Sequence, residues 1–259
     1  MAADFTPRLG LPGTGVIITG GASGIGLATA HALAAVGRPV ALWDINAEGA
    51  AAAAREIAAR YSVAATGLSV DLRNSQAVTP AAIASREALG SVGGIVHGAG
   101  TSEITGIDGV TPDNWDAGLA LHARALVLIT QAFREDLRAN PGSAIVAIAS
   151  INATLGNALI PIYSAAKGAI ISLVRSMADE LANDGVRINS ISPGMIDTPI
   201  MAETKAALPG HFERHIMLGR YGAPEELGRV IRFLLSEEAS YITGADILVD
   251  GGNIHSQRL

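Results

Sequence analysis

Tyr163 and Lys167 stand four positions apart in Tyr163-Ser164-Ala165-Ala166-Lys167, and Ser150 lies thirteen residues before the tyrosine. A free phenol titrates near ~10, too high for a useful base at neutral pH. An ammonium held beside it favours the phenolate and lowers that value. A spacing of four puts both side chains on one face of a helix, one turn apart. A serine hydroxyl arriving from another segment can hydrogen-bond a substrate oxygen. Together the three could move a proton to or from an alcohol. Tyr-x-x-x-Lys alone also recurs in ordinary helices as a surface tyrosine beside a snorkelling lysine. The rest of the chain has to decide between the two.

A second constellation lies near the N-terminus. The run Gly15–Thr19 leads into Thr19-Gly20-Gly21-Ala22-Ser23-Gly24-Ile25-Gly26. Glycines 20, 24 and 26 allow a tight turn and a close backbone approach to a pyrophosphate. A helix starting near Gly24 would aim its first N–H groups at that anion. A strand before the turn and a helix after it are the context such a motif requires. Asp44 follows Gly26 by eighteen residues, close to the ~20 expected of a ribose-binding acid. A carboxylate there accepts from ribose hydroxyls and repels a 2′-phosphate. No Arg or Lys occupies Ala22, Ser23 or Ile45 to welcome that phosphate. These residues favour NAD over NADP. Capping of the next helix is the other use open to Asp44.

The elements that must position these groups are legible as alternation. Near-continuous apolar runs predict strands at Gly15–Thr19, Pro39–Trp43, Val63–Val70, Gly94–His97, Ser143–Ala149, Val186–Ile191 and Ala245–Val249. Helices fit at Gly24–Val36, Ala47–Arg60, Ser75–Leu89, Pro112–Arg138, Ile160–Ala182 and Pro224–Leu235. The pattern predicts an α/β fold: a Rossmann-type, doubly wound, seven-stranded parallel sheet with helices on both faces. No repeat or linker divides residues 1–259, so one domain is expected. Thr198–Arg220 breaks the rhythm with Pro199, Pro209, Gly210 and Gly219. A stretch of this kind, about 195–220, is either a substrate lid or a surface insertion.

Composition narrows the function classes. The chain has 259 residues, 49% of them hydrophobic, and a net charge of −6 without a basic cluster. Nucleic acid and anionic membrane are therefore unexpected partners. There is no cysteine, which removes disulfides, thiolate catalysis and Cys-based metal sites. Met1–Gly13 has no basic region followed by an apolar stretch, and no apolar run reaches spanning length. A cytoplasmic protein is expected, and the sequon Asn152-Ala153-Thr154 then has no use. His211 and His215 could share a helix face, but no third ligand is near, so no metal site is expected. Glu225-Glu226 and Glu237-Glu238 read as solvated helix ends.

Taken together, these residues resemble the classical short-chain dehydrogenase/reductase family over roughly Gly13 to Gly252. The resemblance rests on Thr19-Gly20-x-x-x-Gly24-Ile25-Gly26, Asp71-Leu72, Ala99-Gly100, Ser150, Tyr163 and Lys167. Arg187-Ile188-Asn189, Pro193-Gly194 and Asp250-Gly251-Gly252 complete it. It implies that Ser23, Ile25 and Gly26 line the pyrophosphate and that Asp71, beside Leu72, bonds the adenine. It places Tyr163 and Lys167 on the nicotinamide ribose, and Pro193, Gly194, Ile196 and Thr198 around the nicotinamide. The implied reaction interconverts a secondary alcohol and its ketone, with Tyr163 as general base or acid and Ser150 steadying the oxyanion. The Tyr–Lys spacing is not that of the family's enoyl reductases. A non-catalytic NAD-binding sensor or assembly protein is one rival. An epimerase or dehydratase reusing bound NAD is another.

Two positions depart from the family pattern. His97-Gly98-Ala99-Gly100 stands where Asn-Asn-Ala-Gly is usual, which puts packing at Gly98 in doubt and makes His97 structural. His122 stands where an asparagine usually completes a tetrad, bends the helix and offers its backbone carbonyl to a water serving the lysine. The imidazole replaces the asparagine structurally, or its own titration enters the relay. The expected pocket wall is Ile151, Asn152, Leu155, Leu159, Ile160, Ile196, Ile200 and Met201. It suits a small, neutral, moderately hydrophobic alcohol or ketone, although Lys205 and Arg214 lie on the same stretch. The resemblance also implies a homotetramer. Gly118–Phe133 and Gly168–Met177 are its candidate interface helices, and the tail Asn253–Leu259 could join them.

Overall fold

The computed structural model describes residues 5–257. The outermost parts of the leader reading and of the tail, 1–4 and 258–259, lie outside the described residues. Seven parallel strands form one sheet in the order β3-β2-β1-β4-β5-β6-β7. They are β1 (Gly15–Thr19), β2 (Val40–Asp44), β3 (Ala65–Ser69), β4 (Val92–His97), β5 (Ala144–Ile148), β6 (Arg187–Pro193) and β7 (Asp246–Val249). Every residue of β1, β4 and β5 is buried, which is why these strands read as continuous apolar runs.

Helices cover both faces. One face carries α1 (Gly24–Ala34), α2 (Ala47–Tyr61) and, far along the chain, α9 (Pro224–Leu234). The other carries α3 (Val78–Leu89), α5 (Ala125–Ala139) and α7 (Pro161–Ala182). Each face has its own apolar core, with Leu33, Ile57 and Ile231 on the first and Leu126, Phe133 and Ile170 on the second. The chain direction reverses its stacking between β1 and β4, and ligands of such sheets bind in the crevice at that reversal.

The expected helix over Pro112–Arg138 is not continuous. It comprises α4 (Pro112–Leu119), a π-helical turn over Ala120–Arg124, and α5. The Ala125 N–H reaches back five residues to the Ala120 carbonyl, so the ladder carries one extra residue there. A capping box between Thr111 and Asn114, with Pro112 in the first turn, starts α4. Two short helices escaped the sequence reading: α6 (Asn152–Leu155) and α8 (Ala202–Ala207). Single helical turns leave too few residues for a periodic signal.

Candidate active site

The glycine turn is built as its sequence requires. Gly20 and Gly24 have φ of 69° and 53°, in the left-handed region. A Cβ on Gly26 would overlap the Gly20 carbonyl, so only glycine lets α1 start so close to β1. Ser23 is the exposed N-cap of α1, makes no side-chain capping bond, and the first turn carries no acid. The turn thus presents free N–H groups and a hydroxyl, and a pyrophosphate fits it. Asp44 ends β2 beside it. Its Oδ2 accepts from the Ala22 N–H at 3.0 Å and its Oδ1 from the Asn46 N–H at 2.9 Å. The cap of α2 is Asn46, whose side chain accepts from the Gly49 N–H. That excludes capping as the role of Asp44 and leaves its carboxylate at the turn.

Ser150, Tyr163 and Lys167 converge at the C-terminal end of β5, next to that turn. The Ser150 hydroxyl stands near enough to the Tyr163 phenol to favour its ionised form. The Asn152 N–H donates to Ser150 Oγ at 3.2 Å and fixes the hydroxyl. Tyr163 and Lys167 lie on one face of α7, with Nζ 5.4 Å from the phenol ring centroid. The expected lowering of the phenol by the lysine does not occur in this arrangement. Burial pushes Tyr163 up, and only the neighbouring Ser150 hydroxyl opposes that. The lysine points elsewhere: Nζ donates to the Ile148 carbonyl at 2.6 Å. Burial in turn lowers Lys167 to about 7, so its proton is exchangeable near neutral pH.

His122 lies in the π-helical turn, buried, with its ring edge-on to Tyr163 at 5.6 Å and 85°. Its Nε2 bonds the Thr101 carbonyl at 3.1 Å and must carry the proton, because a carbonyl only accepts. Burial first, then the Lys167 charge, hold the ring down at about 3. A ring held this low favours the structural reading of His122 over the titrating one. Its backbone carbonyl accepts from His97 Nε2 at 2.9 Å. Gly98 is secured without an asparagine: its N–H reaches Thr19 Oγ1 at 3.1 Å, and Ile148 fills the space a side chain would need.

Comparison with known proteins agrees with this geometry. A family model described as enoyl-(acyl carrier protein) reductase matches residues 20–253. A probable galactose dehydrogenase of Rhizobium meliloti is 35% identical over 92% of this chain and 94% of its own length. D-threitol dehydrogenase of Mycolicibacterium smegmatis is 32% identical over 97% and 96%. The crystal structure of L-sorbose reductase from Gluconobacter frateurii, complexed with NADPH and L-sorbose, superposes with a TM-score of 0.91. It is 30% identical and covers 96% of this chain and 99% of that one. The chain belongs to the short-chain dehydrogenase/reductase family. It is an oxidoreductase of that family, whose members use a nicotinamide cofactor.

In this family member several of the other expected positions lie in contact with one another. Ala99 lies against Gly20, and the Gly24 Cβ position is 3.4 Å from Thr198. Pro193 ends β6, its carbonyl accepting from the Ile151 N–H at 3.1 Å, and Gly194 abuts Asp250. Ile196 is buried and pairs with Gly222, whereas Ile45 is exposed. Leu72 is buried. Both carboxylate oxygens of Asp71 accept from Arg73, which holds that acid below its usual range. The sequence reading did not foresee this clamp.

Glu226 stands in the first turn of α9, partly exposed and paired. Arg220 bonds both of its carboxylate oxygens, and the Ala223 N–H donates to it at the start of α9. Glu237 and Glu238 take the Arg8 guanidinium and backbone N–H. On the 195–220 stretch Lys205 pairs with Asp197 at 2.6 Å, and Arg214 donates to both His211 and His215. Among the described residues no cluster of His, Cys, Asp or Glu could hold a metal ion, and no helix is long and apolar enough to cross a membrane.

Proposed function

We propose that this protein is an NAD-dependent dehydrogenase that interconverts a neutral, moderately hydrophobic secondary alcohol and its ketone. The observation carrying this reading is the convergence of Ser150, Tyr163 and Lys167 at the end of β5, where Lys167 Nζ donates to the Ile148 carbonyl at 2.6 Å and stands 5.4 Å from the Tyr163 ring centroid. The substrate oxygen would sit between the two hydroxyls. Tyr163 would take the alcohol proton during oxidation and return it during reduction. Ser150, itself fixed by the Asn152 N–H, would hold the oxygen as charge develops. Lys167, lowered by burial to about 7, would exchange that proton onward. His122 would contribute its place against Tyr163 and its backbone carbonyl, with its ring neutral throughout. The nicotinamide, when bound, supplies the acceptor and donor for the hydride. Gly20, Ser23, Gly24, Ile25 and Gly26 would cradle the pyrophosphate. Asp44, Ile45, Asp71, Leu72, Ala99 and Gly100 would line the adenosine side, and Pro193, Gly194, Ile196 and Thr198 the nicotinamide side.

Asp44 supports NAD over NADP, because its carboxylate stands where a 2′-phosphate would come and no cation accompanies it. L-sorbose reductase is a structural relative complexed with NADPH, so cofactor choice is the sharper test. Apolar side chains at the mouth support the substrate class. The Thr105 and Gly106 N–H groups donate to the Leu159 carbonyl, tying the loop after β4 to the loop after β5. These loops expose Ile104 (75%), Ile107 (77%) and Leu159 (59%), and the first two were absent from the expected wall. The 195–220 stretch would act as the lid of this one catalytic unit, braced internally by the Asp197–Lys205 pair.

The test is NADH formation from NAD⁺ across a panel of secondary alcohols, with NADP⁺ in parallel. Turnover with NAD⁺ is expected. Asp44→Ala should raise the NADP⁺:NAD⁺ preference by about tenfold or more, a change of ~1.4 kcal/mol. Turnover with NADP⁺ alone would sink the Asp44 argument. Cofactor that stays bound through purification with no net NADH release would favour the epimerase or dehydratase.

A further inference from the structure

His97, at the end of β4, has no ring nitrogen to spare. Thr19 Oγ1 accepts from the Gly98 and Ala99 N–H groups, both at 3.1 Å. Its own proton is therefore directed at His97 Nδ1, 3.0 Å away. That leaves Nε2 as the protonated nitrogen, and it donates to the His122 backbone carbonyl at 2.9 Å. This carbonyl belongs to the π-helical turn, where the helical ladder holds one residue too many. The ring of the same residue is tied to Thr101 and stands edge-on to Tyr163. Gly100 makes the room, since a Cβ there would overlap the His122 ring. A buried chain of contacts thus runs from Thr19 through His97 and His122 to Tyr163.

We propose that His97 is a positioning residue: by holding the His122 carbonyl it fixes the π-helical turn, and so sets the His122 imidazole that orients the Tyr163 phenol. His97 touches no reacting atom, and its influence arrives through His122. The inference rests on the reading that Tyr163 transfers the proton. A histidine that merely joined β1 to β4 would need only its Nδ1 bond to Thr19. The two nitrogens can be separated chemically. An asparagine amide reaches the place of Nδ1 and keeps a link to Thr19. A glutamine amide reaches the place of Nε2 and keeps the donation to His122.

The experiment compares His97→Asn, His97→Gln and Gly100→Ala with the wild type. One readout is kcat and cofactor KM. The other is the ¹³Cζ resonance of Tyr163 without cofactor, assigned among the four tyrosines with Tyr163→Phe. His97→Asn should displace the resonance and lower kcat about tenfold, with cofactor KM within about twofold, as a misplaced reacting group does. His97→Gln should restore both. Gly100→Ala should displace the resonance with His97 intact. Equal behaviour of the Asn and Gln variants, or an unmoved resonance in His97→Asn, would overturn the proposal. If His97→Asn does not fold, His97→Gln decides: a resonance unmoved from the wild type supports the proposal, and a displaced one overturns it. If the wild type turns over no alcohol, the dehydrogenase reading falls and the resonance alone decides the role of His97.

Discussion

Tyr163 carries two opposing influences, burial that raises its pKa and the neighbouring Ser150 hydroxyl that lowers it. Phenylalanine there would keep the shape and lose the proton. Tyr163→Phe should bind NADH as the wild type does and lose about 10³-fold in kcat, within the range of a lost general acid–base. Titration by fluorescence and turnover assays would separate the two; retained turnover would remove Tyr163 from the chemistry. The buried histidines make a second prediction. Burial holds His97 down at about 4 and His122 at about 3, against ~6.5 in an unfolded chain. The unfolded chain therefore binds these protons first. The stability they preserve is complete above ~6.5 and is lost as pH falls toward about 4 and then 3. By pH ~5 each histidine should withdraw about 2 kcal/mol. Lys167 acts in a different window, penalising the fold below about 7 and releasing that penalty as pH rises toward the ordinary lysine value of 10.5. Urea midpoints at pH 7.5 and 5.0 would read the acid loss. His122→Asn should remove about half of it, and an undiminished loss would argue against a buried neutral ring.

Elements differ in how plainly the sequence announces them. The central strands were legible because both sheet faces are covered there, so β1 and β5 are runs of apolar residues bounded by turns, whereas β3 and β6 showed as shorter apolar stretches between polar residues. Tyr163, Lys167 and the glycine turn were legible because their spacing is local to one helix or one loop. The Thr19–His97–His122 contacts were not, because they depend on Thr19 pairing with His97 across β1 and β4. The only clue was a histidine at each of two positions where the family prefers asparagine. The π-helical turn was hidden as well, since one surplus residue barely disturbs a helical apolar pattern. Close helix contact yields a further prediction. A Cβ on Gly228 in α9 would lie 2.7 Å from the Ala28 carbonyl of α1. Gly228→Ala should cost about 1–3 kcal/mol as an overpacked contact, measured by denaturant unfolding. It should also raise the cofactor KM, because α1 carries the pyrophosphate turn. Unchanged values of both would show that the two helices part easily.

The molecule as a whole is expected to assemble. Arg134 on α5 bonds Glu180 and Asp184 near the end of α7, which locks the pair of helices proposed as the tetramer interface. Light scattering should give about four times the 26.4 kDa chain mass; a monomer at micromolar concentration would remove the tetramer from the reading. The same architecture has a temporal consequence. The helix that backs the dinucleotide turn, α9, begins at Pro224, roughly 200 residues after Gly26. At ~5–20 residues per second of synthesis, α1 waits about 10–40 s for its neighbour. The nascent nucleotide half therefore emerges with its inner face unprotected, though every residue from Gly20 to Asp44 is already made. A chain stopped before Pro224 should be held by chaperones and show no NADH binding, whereas one stopped after β7 should bind.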